Sequence, residues 1–236
     1  MSDKKHLLKT ASGEIAYTIE RSRRRTLAII VRRDGSVAAK VPLRTGDDAV
    51  AAFMISKSAW IHKHAVRLEA MHIEGQKSYT DGEIHYYLGR PVPLRIIEGQ
   101  RNKIEFTGDS IVIECKGQWN PALGEQLVNR LYRKLALDLF GRRLAFLQEK
   151  YHSYNFKPTS LKVRTTVSRW GSCSAKGSIS LSTNLVKKRE ELIDYVILHE
   201  LCHLRHRNHG PNFYKLLGEI CPEYLVLRAE LKRGAC

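Results

Sequence analysis

Hydrophobic and polar residues alternate with a period of two in the first part of the chain, which predicts β-strands. Three such segments lie at 15–20, 26–32 and 36–41, and Asp34-Gly35 predicts a tight hairpin turn between the last two. Apolar residues then recur at helical spacing over about 47–71, so one helix is expected there. This part of the chain is predicted to be a β-rich module that contains a single helix.

A second group of alternating segments follows, and after it comes a long helix. The segments, each predicted to be a strand, span 83–88, 92–97, 103–106 and 111–115. Pro121 suits the first turn of a helix that extends to about Lys150, because that turn leaves its N–H groups unpaired and proline has none. Leucines recur at every fourth position along this helix and predict a buried face. They are Leu123, Leu127, Leu131, Leu135 and Leu139.

The run from Tyr195 to His209 carries the most informative chemistry of the chain. Apolar residues at 192–198 predict a buried helix that continues into an H-E-x-x-H motif. Residues four apart share a helix face, so His199 and His203 can bind one Zn²⁺ while Glu200 reaches a water beside the ion. Buried histidine and glutamate side chains are costly alone, and a metal ion removes that cost. The motif predicts one zinc ion per chain and metal-assisted hydrolysis with Glu200 as general base.

The third zinc ligand has several candidates. His209 lies about 15 Å beyond His199 along a continuous helix, so it can reach the same ion only if the chain folds back. Asn208 tolerates the left-handed conformation that ends helices, and Gly210-Pro211 prevents simple continuation, so His209 ranks first. The alternatives are carboxylates farther along the chain, with Glu223 ranked second, and a histidine within the turn. These alternatives are Glu219, Glu223 and His206.

The stretch before the metal helix is predicted to position substrate. Ser168–Ser174 is rich in turn-forming residues, and Ile179–Ser182 alternates as a short strand. A strand beside the zinc can pair its backbone with an extended peptide, so we expect Ile179, Ser180 and Leu181 to form a substrate-binding edge. Further candidate contacts with substrate are Arg169, Trp170 and Tyr214. The candidate donors to an oxyanion are Arg169, Tyr214 and His206.

Composition adds a bias in charge and in cellular compartment. The 236 residues carry a formal charge of +16, which favours anionic surroundings such as nucleic acid or nucleotides. Only Arg21–Arg25 forms a compact basic run, and charge alone specifies no sequence readout. Five cysteines without framework spacing, together with the lack of a signal-like or membrane-spanning apolar run, predict a cytoplasmic protein that does not enter a membrane.

Two further function classes fit part of these observations. A metal-dependent nucleotide hydrolase would attract its substrate with the basic surface, although three histidines suit zinc better than the oxygen-rich sites that Mg²⁺ prefers. A nucleic-acid-associated adaptor would hold a structural zinc with four protein ligands, the fourth being His206 or Cys173. Hydrolysis of a peptide or protein substrate is the first choice.

Several motifs occur together along the chain. In its second half they are Arg169–Ser174, Ile179–Leu181, Ile193–Val196, His199–Leu204 and Asn208-His209, and in its first half Arg21–Arg25 and Tyr87–Arg90. In this combination the chain resembles the YgjP-like metallopeptidase family, which is related to the SprT-type and WLM zinc proteases. The resemblance implies a zincin-type domain with Glu200 as the catalytic base. The zinc ligands that it implies are His199, His203 and His209.

These observations together predict an α+β protein in two parts. Residues 1–118 are expected to form the N-terminal β-rich module with one helix at about 47–71. Residues 119–236 are expected to form a zincin-like zinc metallopeptidase domain that contains the H-E-x-x-H helix. The predicted activity is hydrolysis of peptide bonds by a zinc-bound water that Glu200 activates.

Overall fold

The computed structural model describes five segments of the chain: 5–10, 13–32, 35–62, 77–166 and 169–233. The protein is α+β, and its contacts separate into two units, Met1–Gln76 and Lys77–Cys236. This division differs from the predicted one after residue 118, because strands at 84–115 share a core with the long helix that follows them. In the described residues, no helix has the length and apolarity that crossing a membrane requires.

The first unit contains a four-stranded sheet. Its strands are β1 (Lys5–Thr10), β2 (Gly13–Ser22), β3 (Ala28–Val31) and β4 (Val37–Pro42), in the order β1-β2-β4-β3. The strands β2 and β4 run parallel, and the other neighbours run antiparallel. The predicted hairpin is present as β3–β4, with Gly35 at a φ of 76° that favours glycine. Asp34 of the predicted turn lies outside the described residues.

One helix covers the core of this unit. Helix α1 (Asp47–Ser56) begins at the predicted residue and buries Val50 and Met54 among the apolar side chains of the sheet. The helix is interrupted at Lys57 and the chain is helical again over 58–62. The remainder of the predicted helix, 63–71, lies outside the described residues.

The second unit begins with another four-stranded sheet. Its strands are β5 (Ile84–Tyr87), β6 (Arg90–Glu98), β7 (Lys103–Phe106) and β8 (Ile111–Cys115), in the order β5-β6-β8-β7. They correspond to the four predicted strands, because hydrophobic and polar residues alternate strongly in each of them. Turns with the positive-φ glycines Gly89 and Gly108 separate β5 from β6 and β7 from β8.

Helix α2 (Pro121–Lys150) crosses the second unit and organises its core. The Asn120 side chain accepts a hydrogen bond of 2.8 Å from the N–H of Ala122 and so caps the first turn. The leucine stripe is buried as predicted. Its members either lie in the core, as Leu127, Leu131 and Leu139 do, or pack against it, as Leu123 and Leu135 do.

A small second sheet lies next to the candidate site. Its strands are β9 (Ser160–Arg164), β10 (Gly171–Cys173) and β11 (Ser178–Ser182), in the order β10-β11-β9. The prediction that Ile179–Ser182 forms an edge is wrong, because β10 and β9 cover both sides of β11. The side chains of Ile179 and Leu181 are 0% and 1% exposed and belong to the core. The edge strands are β10 and β9; Ser168, in the predicted turn-rich stretch before β10, lies outside the described residues.

Three helices complete the unit: α3 (Glu190–Cys202), α4 (Pro211–Ile220) and α5 (Tyr224–Arg233). Arg143 of α2 holds the N-terminal half of α3 in place through ion pairs with two carboxylates. Its Nη1 lies 2.8 Å from Oε1 of Glu190, and its Nε donates to Oδ1 of Asp194 at 2.8 Å. The end of α3 that carries the histidine motif is therefore held at a defined position against β10 and α4.

Candidate metal centre

The last turn of α3 carries the H-E-x-x-H motif. His199 and Glu200 lie inside the helix, and His203 is the residue that follows its last helical position, Cys202. His203 keeps helical dihedral angles, with φ at −66° and ψ at −17°, so it stays one turn beyond His199 on the same face. The centroids of the two imidazole rings are 5.0 Å apart.

The helix ends earlier than the sequence suggested. The backbone N–H of His206 bonds to the carbonyl oxygen of Cys202 at 2.9 Å and closes the last turn. Asn208, which was expected to end the helix in a left-handed conformation, is not among the described residues with positive φ. The helix therefore stops through tight turns over 203–206, without a left-handed residue.

The chain then folds back toward the helix. The N–H of Gly210 bonds to the carbonyl oxygen of Asn208 at 2.8 Å, and Pro211 starts α4. This reversal brings His209 against His199, with their Nε2 atoms 3.0 Å apart.

Three imidazoles converge at this point. One nitrogen from each of His199, His203 and His209 lies within 4.8 Å of the other two. In the part of the chain that the structure describes, the alternative third ligands do not join this group. Those alternatives are Glu219, Glu223 and His206.

Local contacts keep lone pairs on the converging imidazole nitrogens available to bind a metal ion. Nδ1 of His203 lies 3.1 Å from the carbonyl oxygen of His206, so Nδ1 donates and Nε2 keeps its lone pair for the shared centre. Burial, with smaller contributions from His203, His209 and Arg228, lowers the pKa of His199 to about 3. Neutral imidazole is the form that binds metals, so this donor set fits a divalent cation such as zinc.

Phe213 packs against all three rings, and sequence reasoning did not single it out. Its side chain is fully buried, and its ring centroid lies 5.0, 4.8 and 4.7 Å from those of His199, His203 and His209. The available signal was an apolar residue four positions after His209, one turn into the next helix. Phe213 limits the rotation of the imidazoles.

Glu200 lies beside the histidines in a confined space. It is 5% exposed, and burial raises the pKa of its carboxyl to about 8, with Arg169 opposing the shift. Gly171 of β10 faces this carboxylate so closely that an added Cβ would lie 2.6 Å from Oε1 of Glu200. A glycine within a strand often marks a place where another group comes close to the backbone, so the sequence already carried a signal for this contact.

Replacing Gly171 by alanine is expected to displace the carboxylate of Glu200, the predicted general base, and to lower hydrolysis by on the order of 10²-fold, the size of effect that a shift of about 1 Å in such a group has. Metal content should be retained, because the added methyl group meets Glu200 and not a histidine. Gly210→Ala is the matched control, since a Cβ there meets nothing within 4 Å. Steady-state hydrolysis and metal analysis of both variants check this prediction, and equal activity in both variants would contradict it.

The histidines and Glu200 open onto a pocket of about 400 Å³. One wall is the backbone and side chains of 171–175, which are β10 and the turn after it. The three histidines, Glu200 and Arg207 also line the pocket, and Arg207 was not a predicted site residue. Cys173, the proposed fourth ligand of a structural zinc, lines the pocket but does not belong to the metal-ligand group of the described residues.

The other predicted substrate contacts differ in their positions. Arg169 is exposed, and its charge reaches Glu200. Trp170 is partly buried against the core, with Nζ of Lys188 5.6 Å from its ring centroid. The ring of Tyr214 lies 6.2 Å from that of His209. Ile179 and Leu181 point into the core, and the backbone of Ser180 is flanked by strands on both sides, so β11 is not a substrate-binding edge.

Comparisons with known proteins address the identity of the chain. The model of the YgjP-like metallopeptidase domain matches residues 25–234. The metallopeptidase zymogen of Pyrococcus abyssi abylysin, known from a crystal structure, is 19% identical and aligns over 40% of this chain and 93% of its own, with a TM-score of 0.36. No curated protein matches the chain. Because the family model spans nearly the whole sequence and includes the three converging histidines, the chain belongs to the YgjP-like metallopeptidase family.

Proposed function

We propose that this protein is a zinc-dependent metallopeptidase with a zincin-like catalytic domain, in which Glu200 acts as the general base. The observation that carries the proposal is the convergence of three imidazole nitrogens within 4.8 Å, next to a buried carboxylate. Three protein ligands are typical of catalytic zinc sites, whereas structural sites have four. Membership of a metallopeptidase family supports peptide bonds as the substrate class.

The proposed chemistry divides between the metal and the chain. A bound zinc ion would polarise the scissile carbonyl and acidify a water. Glu200 takes a proton from the attacking water and passes it to the leaving amine. Burial makes this carboxylate a stronger base than an exposed one, and a bound cation favours its ionised form. Arg169, Tyr214 and His206 remain the candidate donors to the oxyanion.

The free edge of β10 is the proposed docking strand for an extended peptide. The N–H of Ser182 bonds to the carbonyl oxygen of Trp170 at 2.8 Å, and the N–H of Ser174 bonds to that of Ser178 at 2.9 Å. Hydrogen-bonded pairs alternate along an antiparallel ladder, so the backbone groups of residues 171 and 173 point away from β11. No described strand pairs with that side of β10. A peptide added there would run beside Glu200.

Replacing Cys173 by proline is expected to remove one outward N–H and to lower kcat/KM for peptides by roughly 3- to 10-fold, the contribution of one backbone hydrogen bond. Proline is tolerated at an edge position whose N–H faces away from the sheet, so the fold and metal content should persist. Cys173→Ala is the control, because it removes the thiol and keeps the N–H. Similar kinetics for the two variants would rule out pairing at this position.

Two measurements together test the proposed function: metal content, and turnover of a peptide library and of a nucleotide panel. We expect about one zinc ion per chain and cleavage of peptides. Saturable nucleotide hydrolysis without cleavage of any peptide or protein would overturn the peptidase assignment and leave the metal site standing. Bound zinc without turnover of either class would favour the adaptor with a structural zinc.

A further inference from the structure

Cationic side chains surround the pocket. Arg207 lines it, and its Nη2 donates to the carbonyl oxygen of Ala175, another lining residue, at 3.0 Å. Nη1 of Arg228 lies 3.5 Å from the hydroxyl of Tyr214, whose ring neighbours that of His209. The charge of Arg169 acts on Glu200. Three guanidinium groups therefore lie near the site.

These arginines differ in their ion pairing from Arg143 and Arg189 of the same unit. In the described residues, no ion pair involves Arg169, Arg207 or Arg228. Arg143 and Arg189, by contrast, are each paired with two carboxylates. Arg143 and Arg189 are thus neutralised by carboxylates of the protein itself, and the three arginines around the pocket are not.

The pocket offers no other anion to balance this charge. Among the residues that line it, Glu200 is the one carboxylate, and the proposed function uses it as a base.

We propose that the site selects peptide segments that carry a carboxylate next to the scissile bond, and that Arg207 is the specificity-determining residue. This inference rests on the proposed metallopeptidase function and names its substrate class. Arg207 is suited to the role because it is exposed, lines the pocket and presents a planar fork of donors that matches a carboxylate. A peptide is favoured over a nucleotide because β10, whose open edge is proposed to pair with extended backbone, also lines the pocket.

Arg205 provides a matched control on the same turn. It is also exposed, and its guanidinium donates to the carbonyl oxygen of Tyr154 and does not line the pocket. Arg205→Gln and Arg207→Gln remove the same charge a few residues apart, so general attraction of acidic peptides by a chain of charge +16 falls equally in both.

The experiment compares C-terminally amidated peptides that differ only by Glu or Gln beside the cleaved bond. The wild type is expected to prefer the Glu peptide by roughly 3- to 10-fold in kcat/KM, the range for a partly exposed charged contact. Arg207→Gln should abolish this preference by raising KM for the Glu peptide more than for the Gln peptide, and Arg205→Gln should keep the preference. Arg207→Lys should retain part of the preference. A second Gln peptide with a free C-terminus tests whether a chain-terminal carboxylate serves equally.

Peptide binding separates this inference from the proposed function. Fluorescence anisotropy with the same peptides, in a Glu200→Gln background, needs no turnover, so the Glu-over-Gln difference can be measured even if catalysis is absent. The inference is overturned if Arg207→Gln binds and cleaves both peptides with wild-type discrimination, or if Arg205→Gln loses discrimination equally. An equal loss of binding and cleavage for the Glu and Gln peptides in Arg207→Gln would also overturn the inference. That result would indicate that Arg207 holds the turn before His209 in place. Nucleotide hydrolysis without peptide cleavage or binding would refute both proposals.

Discussion

Changing Glu200 to glutamine is expected to lower peptide hydrolysis by roughly 10²- to 10⁴-fold, the usual contribution of general acid–base catalysis. Glutamine has nearly the same shape but cannot accept the proton of the attacking water. The fold should be retained. Burial disfavours the charged form of Glu200, as the raised pKa of its carboxyl indicates, and glutamine is neutral at every pH.

Zinc content and thermal unfolding of Glu200→Gln are the controls for this prediction. Both should match the wild type, because the converging nitrogens belong to the histidines and not to Glu200. A variant with full zinc content that cleaves peptides as fast as the wild type would remove Glu200 from the mechanism. A variant that also loses zinc would indicate that the carboxylate takes part in binding the metal.

Replacing any one of the three histidines by alanine is expected to strip zinc from the protein at neutral pH and to abolish hydrolysis. Each contributes one of three nitrogens within 4.8 Å, and a site with two protein ligands does not hold zinc as catalytic sites do. Metal analysis after dialysis measures the loss. The variants are His199→Ala, His203→Ala and His209→Ala.

His206→Ala is the matched control for these variants. Its backbone carbonyl accepts the hydrogen bond from Nδ1 of His203, and alanine keeps that carbonyl. We therefore expect wild-type zinc content in His206→Ala. Zinc lost in His206→Ala and retained in His209→Ala would show that the third ligand is His206.

Local sequence patterns predicted the elements whose formation depends on neighbouring residues. Helix α2 spans the predicted residues because Pro121 starts it and a four-residue leucine stripe continues through it. The H-E-x-x-H spacing placed two histidines on one face, since the helix repeat alone brings residues four apart together. Alternation likewise located the strands at 84–115.

Pairings between distant segments were not predicted. The short strands β9 and β10 carry weak alternation, and they are ordered by pairing with β11 and not by their own pattern. The sequence therefore identified Ile179–Ser182 as a strand but assigned it to the wrong place in the sheet. The predicted division after residue 118 separates β6 and β8 from α2, although these three elements share one core. The cause is again a contact between distant segments.

By itself, the sequence determined the kind of chemistry: three histidines, a glutamate at the required spacing and a buried helix to carry them. Only the tertiary structure decided which groups surround that chemistry. Phe213 against the imidazoles, Gly171 against Glu200 and Arg207 in the lining of the pocket come from separate elements. Spacing along the chain specifies neighbours within one helix or strand, whereas the approach of separate elements depends on how their apolar faces pack together.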